Sequence, residues 1–326
     1  MTLRRMKAAL VTGGSGFIGS VLVRRLLQEG VQVACLGRSK ERISDRLRLK
    51  ELKVIETSFQ TPELKAKLAT LSPPPDTVFH LASYGVRPED RDPEQLIEGN
   101  VSLVVRLLEA VRNWSIRKFI HVGSCSEYGF PLSDKVLISE NHPLRAVSPY
   151  GAAKAAAGLF GNVIAHGWNI PFVTLRLFNV FGIQEGPQRL VPYLISHLMN
   201  HEPVDLTPGE QVRDLLYVED VVEALLLAGE SDAVLPREVY NICSAQPVRI
   251  RQVGETVAES LQKPQALLQW GKRPYRDDEP LWMVGDNRKF VDATSWRPEI
   301  TWEEGIRRMI SEAKIPPPRD EHQHAI

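Results

Sequence analysis

The sequence predicts an α/β fold, a doubly wound parallel sheet with a smaller, discontinuous second domain. Three observations carry that expectation: short apolar runs alternating with helical spacing, a glycine-rich turn after the first run, and a looser, proline-rich pattern beyond residue 177. Strands are expected at 8–12, 32–36, 53–55, 77–81, 118–123 and 172–177, with helical segments such as 17–29 and 96–112 between them. Near-continuous apolar strands separated by helices indicate a parallel sheet covered on both faces. Past Leu177, Pro187, Pro192, Pro203 and Pro208 interrupt the pattern, while 213–229 and 238–243 are expected to return to the sheet layer. The expected units are residues 1–177 with 212–244 for the Rossmann-type domain and 178–211 with 245–314 for substrate binding. Residues 315–326, proline-rich and then polar, are expected to form a disordered tail.

At 326 residues the chain suits one large or two unequal domains. Its 40 Lys+Arg balance 40 Asp+Glu, so it lacks the basic field that nonspecific nucleic-acid binding needs. The three cysteines, Cys35, Cys125 and Cys243, are odd in number and form no CxxC pair, which fits a reducing compartment. No apolar run approaches the roughly 20 residues that span a bilayer, and no His/Cys/carboxylate spacing suggests a metal site. A cytoplasmic protein without membrane, nucleic-acid or metal partners is the expectation.

Gly13-Gly14-Ser15-Gly16-Phe17-Ile18-Gly19 joins the first strand to the first helix. Unpaired N–H groups and the helix dipole favour an anion there, and side chains would keep a dinucleotide pyrophosphate away. Gly13 permits the turn, Gly16 admits the pyrophosphate, and Gly19 lets helix and strand pack. At the end of the second strand stands Gly37-Arg38-Ser39, with no acid to bond the adenosine ribose. Arg38 offers a bidentate grip on a 2′-phosphate and Ser39 a further hydrogen bond, so NADP(H) is favoured, with NAD possible.

Tyr150 and Lys154, four apart, share one face of a helix rich in small residues. A nearby ammonium stabilises a phenolate and is expected to lower the tyrosine pKa. Ser124 follows the strand 118–123, at the carboxyl edge where functional groups of open parallel sheets gather. A surface pair at this helical spacing is common by itself. Together with the glycine turn it points to redox chemistry.

The glycine pattern, His80-Leu81-Ala82, Asn100, Ser124…Tyr128-Gly129, Tyr150/Lys154 and Arg213-Asp214…Tyr217-Val218…Asp220 resemble the extended short-chain dehydrogenases/reductases. More narrowly they resemble the NAD(P)-dependent epimerase/dehydratase family acting on nucleotide sugars. The resemblance covers the chain to about Met309 and implies a catalytic triad of Ser124, Tyr150 and Lys154. It places Ser15, Phe17, Ile18, Leu81, Ala82, Asn100 and Lys154 with the glycines and Arg38 at the cofactor. It places Ser83, Ser126, Asn179, Arg189, Arg213 and Arg276 at the nucleotide sugar. It also implies a homodimer built on the 150–168 helix and the long helix before it.

Two departures narrow the chemistry. Family dehydratases carry an acidic pair directly after the catalytic Ser or Thr, whereas this chain has Cys125-Ser126, with Glu127 one place displaced. Family members that hold NAD tightly have acids where Gly37 and Ser58 stand here. Gly209-Glu210-Gln211-Val212-Arg213-Asp214 and Tyr275-Arg276-Asp277-Asp278-Glu279 are most like the 4-ketoreductases of the CDP-abequose and CDP-paratose synthase type. The leading expectation is NADPH-dependent reduction of the C4 ketone of a nucleotide-activated deoxysugar. The alternatives are a nucleotide-sugar 4-epimerase with retained NAD and, from another class, a non-catalytic dinucleotide sensor.

Overall fold

The computed structural model describes residues 5–47, 49, 52–86, 89–130 and 135–313; the expected tail at 315–326 lies outside the described residues. Strands form at all six positions predicted in the first half: β1 (Ala8–Thr12), β2 (Gln32–Gly37), β3 (Lys53–Glu56), β4 (Thr77–His80), β5 (Lys118–Ser124) and β6 (Phe172–Leu177). After them come β7 (Asn179–Phe181), β8 (Val204–Asp205), β9 (Val212–Tyr217), β10 (Val239–Ile242), β11 (Pro247–Arg249), β12 (Leu268–Gln269) and β13 (Trp282–Met283). The main sheet runs β3-β2-β1-β4-β5-β6-β10 with every pairing parallel. Strand order reverses direction between β1 and β4. That switch point, at the carboxyl ends of the strands, is where a Rossmann sheet opens a crevice for a ligand.

The helices are α1 (Phe17–Gln28), α2 (Lys40–Leu47), α3 (Thr61–Leu68), α4 (Pro93–Leu96), α5 (Leu103–Val111), α6 (Pro149–Gly167), α7 (Leu190–Met199), α8 (Val218–Glu230), α9 (Ile250–Ser260), α10 (Arg288–Thr294) and α11 (Trp302–Ala313). One face of the main sheet is covered by α1 and α8, which bury Leu22, Leu26, Val221 and Leu225. The other face is covered by α3, α5 and α6 through Leu64, Leu107, Leu108 and Ala157. Such burial is worth about 1.5–3 kcal/mol for each fully covered aliphatic side chain. Between α4 and α5 the helix widens into a π-helical stretch, Ile97–Ser102, that contains Asn100. Among the described residues no helix is long and apolar enough to cross a membrane.

The segment expected to return to the sheet divides. Helix α8 packs on the main sheet and β10 extends it, but β9 pairs instead with β7, β11 and β13 in a separate four-stranded sheet. A run such as Leu215-Leu216-Tyr217 is apolar in either setting, so the sequence pattern does not choose the sheet. Helices α7, α9 and α11 form a third core behind this small sheet, with Leu194, Leu198, Val253, Val257 and Ile306 at its centre. Only Phe178 separates β6 from β7, so the chain passes from one sheet to the other in a single step. Phe178 packs with Cys125, Tyr128, Ile138, Cys243 and Met283 in a small cluster under the carboxyl edge of β5.

Candidate active site

Steric room shapes the turn after β1. Gly13 has φ of +75°, and a Cβ there would lie 2.8 Å from the Ala82 amide nitrogen. A Cβ on Gly19 would lie 2.1 Å from the Gly13 carbonyl oxygen, so helix and turn approach too closely for any side chain. Gly16 differs: it is exposed, and it starts α1 with no side-chain cap and no acid in the first turn. The helix therefore presents free N–H groups to the crevice, with half-buried Ser15, Phe17 and Ile18 around them. Thr12 ties the turn to β4: its hydroxyl bonds the His80 Nδ1 at 2.8 Å and accepts the Ala82 N–H at 3.1 Å. Burial holds the His80 imidazole down to about 3, hence neutral. These features fit a dinucleotide pyrophosphate.

At the end of β2, Arg38 is exposed and makes no hydrogen bond or ion pair among the described residues. The Ser39 oxygen accepts the Arg42 N–H at 3.1 Å, which leaves its own proton to donate. A Cβ on Gly37 would meet Ile43 Cδ1 at 2.6 Å, so an acid here would first displace a core side chain. Ser58, where an acid was missing, bonds the Glu63 carboxylate through both its N–H and its hydroxyl.

Ser124 ends β5 and caps the short helical turn Cys125–Glu127. Its oxygen accepts the Ser126 N–H at 3.2 Å, which leaves its own proton to donate. Ser83 donates to Asn100 Oδ1 at 2.7 Å, while the Asn100 amide donates to the carbonyls of Tyr84 and Leu96. Asn100 is thus committed to the protein and acts through Ser83. Tyr150 lies in the first turn of α6, which Ser148 caps, with Ser83 and Ser124 as the hydroxyl neighbours that act on its phenol. Lys154 follows one turn along and is 3% exposed. Burial pushes the Tyr150 phenol up to about 12, against the pull of its two serine partners. The expectation that Lys154 would lower it is therefore overturned, because desolvation is the larger effect. The same burial lowers the Lys154 ammonium to about 8.

Arg213 and Arg276, though 63 positions apart in the chain, meet on one carboxylate, Glu279. Asn179 donates to the Asp214 carbonyl at 3.2 Å, which sets it at the β7–β9 junction. Arg189 stands apart at the start of α7, 3.3 Å from Glu185. Cys125 is buried and its thiol is pushed up to about 12, so no thiolate is available. Among the described residues, no three His, Cys, Asp or Glu side chains group as a metal site.

Two carboxylates that the sequence reading named without a role, Asp214 and Glu127, are buried. Asp214 accepts from Ser244 N and Oγ (both 2.7 Å), Ala245 N (3.0 Å) and Gly285 N (3.2 Å), pinning three segments of the small sheet together. Glu127 receives Ser124 N–H at 2.8 Å on one oxygen and Arg176 Nε at 2.7 Å on the other. The signal for the second was its place, one position displaced from the family's acidic pair, and its partner lies 49 positions away.

Residues 9–243 match the model of the NAD-dependent epimerase/dehydratase family. The chain belongs to that family. It is similar to the solved UDP-glucose 4-epimerase of Thermus thermophilus in complex with NAD, with a TM-score of 0.82 and 28% identity over 93% of this chain and 98% of the other. Among curated relatives it is 27% identical to Protein CapI of Staphylococcus aureus, over 92% of this chain and 96% of the relative. It is 28% identical to a probable dTDP-glucose 4,6-dehydratase of Sinorhizobium fredii, over 92% and 91% respectively. The family and the Rossmann-like fold agree with the sequence expectation.

Proposed function

We propose that this member of the family reduces the C4 ketone of a nucleotide-activated deoxysugar, with NADPH as the reductant and Ser124, Tyr150 and Lys154 as the catalytic group. The observation that carries the reading is the Tyr150 hydroxyl, with Ser83 and Ser124 as neighbours and its pKa pushed up to about 12, a protonated donor throughout the neutral range. When bound, the dinucleotide supplies a hydride to the sugar carbon. Tyr150 gives its phenolic proton to the carbonyl oxygen as that oxygen gains charge, and Ser124 donates a hydrogen bond to the same oxygen. Lys154, still largely an ammonium at pH 7, stabilises the tyrosinate until solvent returns the proton. The product is the C4 alcohol, and no atom is lost from the sugar.

Elimination of water needs a free acid and base beside Ser124. Here Cys125 is a neutral thiol, and both oxygens of Glu127 are occupied by Ser124 and Arg176. This argues against a dehydratase despite the similarity to one. Arg38, without a partner among the described residues and beside an acid-free β2 terminus, supports the 2′-phosphate of NADP(H).

A second reading, the nucleotide-sugar 4-epimerase, is favoured by the likeness to the Thermus enzyme. The two part on cofactor use. Purified protein, NADPH and a panel of nucleotide 4-ketosugars should show one NADPH oxidised for each alcohol formed. Protein that purifies with bound NAD and interconverts C4 epimers without net NADPH use would replace the reductase by the epimerase. A protein inert in both assays would leave the dinucleotide-sensor reading.

A further inference from the structure

Glu127 is 1% exposed, and its charge partner Arg176 is also buried. Arg176 donates to the Tyr128 hydroxyl at 3.0 Å, Tyr128 donates to Asn241 Oδ1 at 2.7 Å, and Asn241 donates to the Ile138 carbonyl at 2.8 Å. A buried ion pair often stabilises no more than an apolar pair of equal volume, because both charges give up water. Its place in the site, directly beneath Ser124, therefore calls for a reason other than stability. The surrounding backbone is shaped around it. A Cβ on Gly123 would lie 2.5 Å from Glu127 Oε1, and a Cβ on Gly151 would lie 2.3 Å from the Ser126 carbonyl, so β5 and α6 both close onto the Cys125–Glu127 turn.

Resting on the Ser124–Tyr150–Lys154 reading, we propose that Glu127 is a positioning residue for the reaction: one of its buried oxygens holds the Ser124 N–H and so sets where the Ser124 hydroxyl stands. Arg176 in turn aims the carboxylate by holding its second oxygen.

The test is kcat and KM for purified Glu127→Gln, which keeps an acceptor for the Ser124 N–H, and for the double variant Glu127→Leu/Arg176→Leu, which removes it. The double variant leaves no charge unpaired, which protects against simple unfolding. In the double variant kcat should fall about tenfold while the substrate KM changes less than about threefold, and Glu127→Gln should keep kcat within about threefold of the parent. A double variant that melts like the parent and keeps the parental kcat overturns the proposal and makes the pair purely structural. Tyr150→Phe is assayed alongside: if it retains turnover, the tyrosine reading fails, whichever way the Glu127 variants behave.

Discussion

Replacing Lys154 with Met should make the ligand-free protein more stable while destroying its activity. Burial takes the lysine pKa from 10.5 to about 8. At about 1.36 kcal/mol per pH unit, a gap of about 2.5 corresponds to roughly 3 kcal/mol against the charged form in the folded state. The unfolded chain holds this proton more tightly than the folded one. The cost is therefore full below pH 8, shrinks as pH rises from 8 toward 10.5, and is gone above that. Met keeps a stem of similar length, carries no charge, and leaves Glu127 still paired with Arg176. Thermal unfolding at pH 7 should show the variant stabilised by about 3 kcal/mol, or roughly 4 °C in a chain of this length. At pH 10 the advantage should fall below about 1 kcal/mol, and turnover should drop by about two orders of magnitude or more at either pH. A variant no more stable than the parent at pH 7, or one with the same advantage at both pH values, would refute the reasoning.

Tyr150→Phe keeps the ring and loses the proton, so dinucleotide binding measured by fluorescence should survive while turnover falls by about two orders of magnitude or more. Arg38→Ala should lower kcat/KM for NADPH roughly tenfold to hundredfold and leave the NADH value nearly unchanged; a parental preference for NADH would remove the 2′-phosphate clamp. Leu159, Phe160 and Val163 stand 61%, 56% and 74% exposed on α6, an apolar surface suited to a second copy of the chain. Light scattering at micromolar concentration should show a dimer that Val163→Asp converts to monomer, and a monomeric parent would exclude it.

The sequence was most legible where one residue type serves one physical need. The β1–turn–α1 unit could be read because glycine alone tolerates the approach of Gly19 to the Gly13 carbonyl. Strands β1 to β6 were legible because a sheet buried on both faces writes continuous apolar runs. Ser124 stands at the carboxyl end of β5 and Tyr150 in the first turn of α6, where the strand and helix patterns put them, but the direction of the tyrosine pKa was not legible, since burial is a property of the assembled site. Partnerships distant in sequence, such as Glu127 with Arg176 and Arg213 with Glu279, leave no periodic trace.

The widened stretch at Ile97–Ser102 bears on how this helix can change over time. Each residue of a regular α-helix turns the next by about 100°, and a π-helical stretch absorbs one extra residue before regular winding resumes. Downstream, Leu103, Val104, Leu107 and Leu108 are phased to the sheet; upstream of that reset, Asn100 is phased to Ser83 and Tyr84. The segment therefore carries two angular frames, one for the core and one for the site. Point substitutions act within either frame, but losing a single residue from this stretch would rotate one frame against the other, so its length is constrained more tightly than its composition.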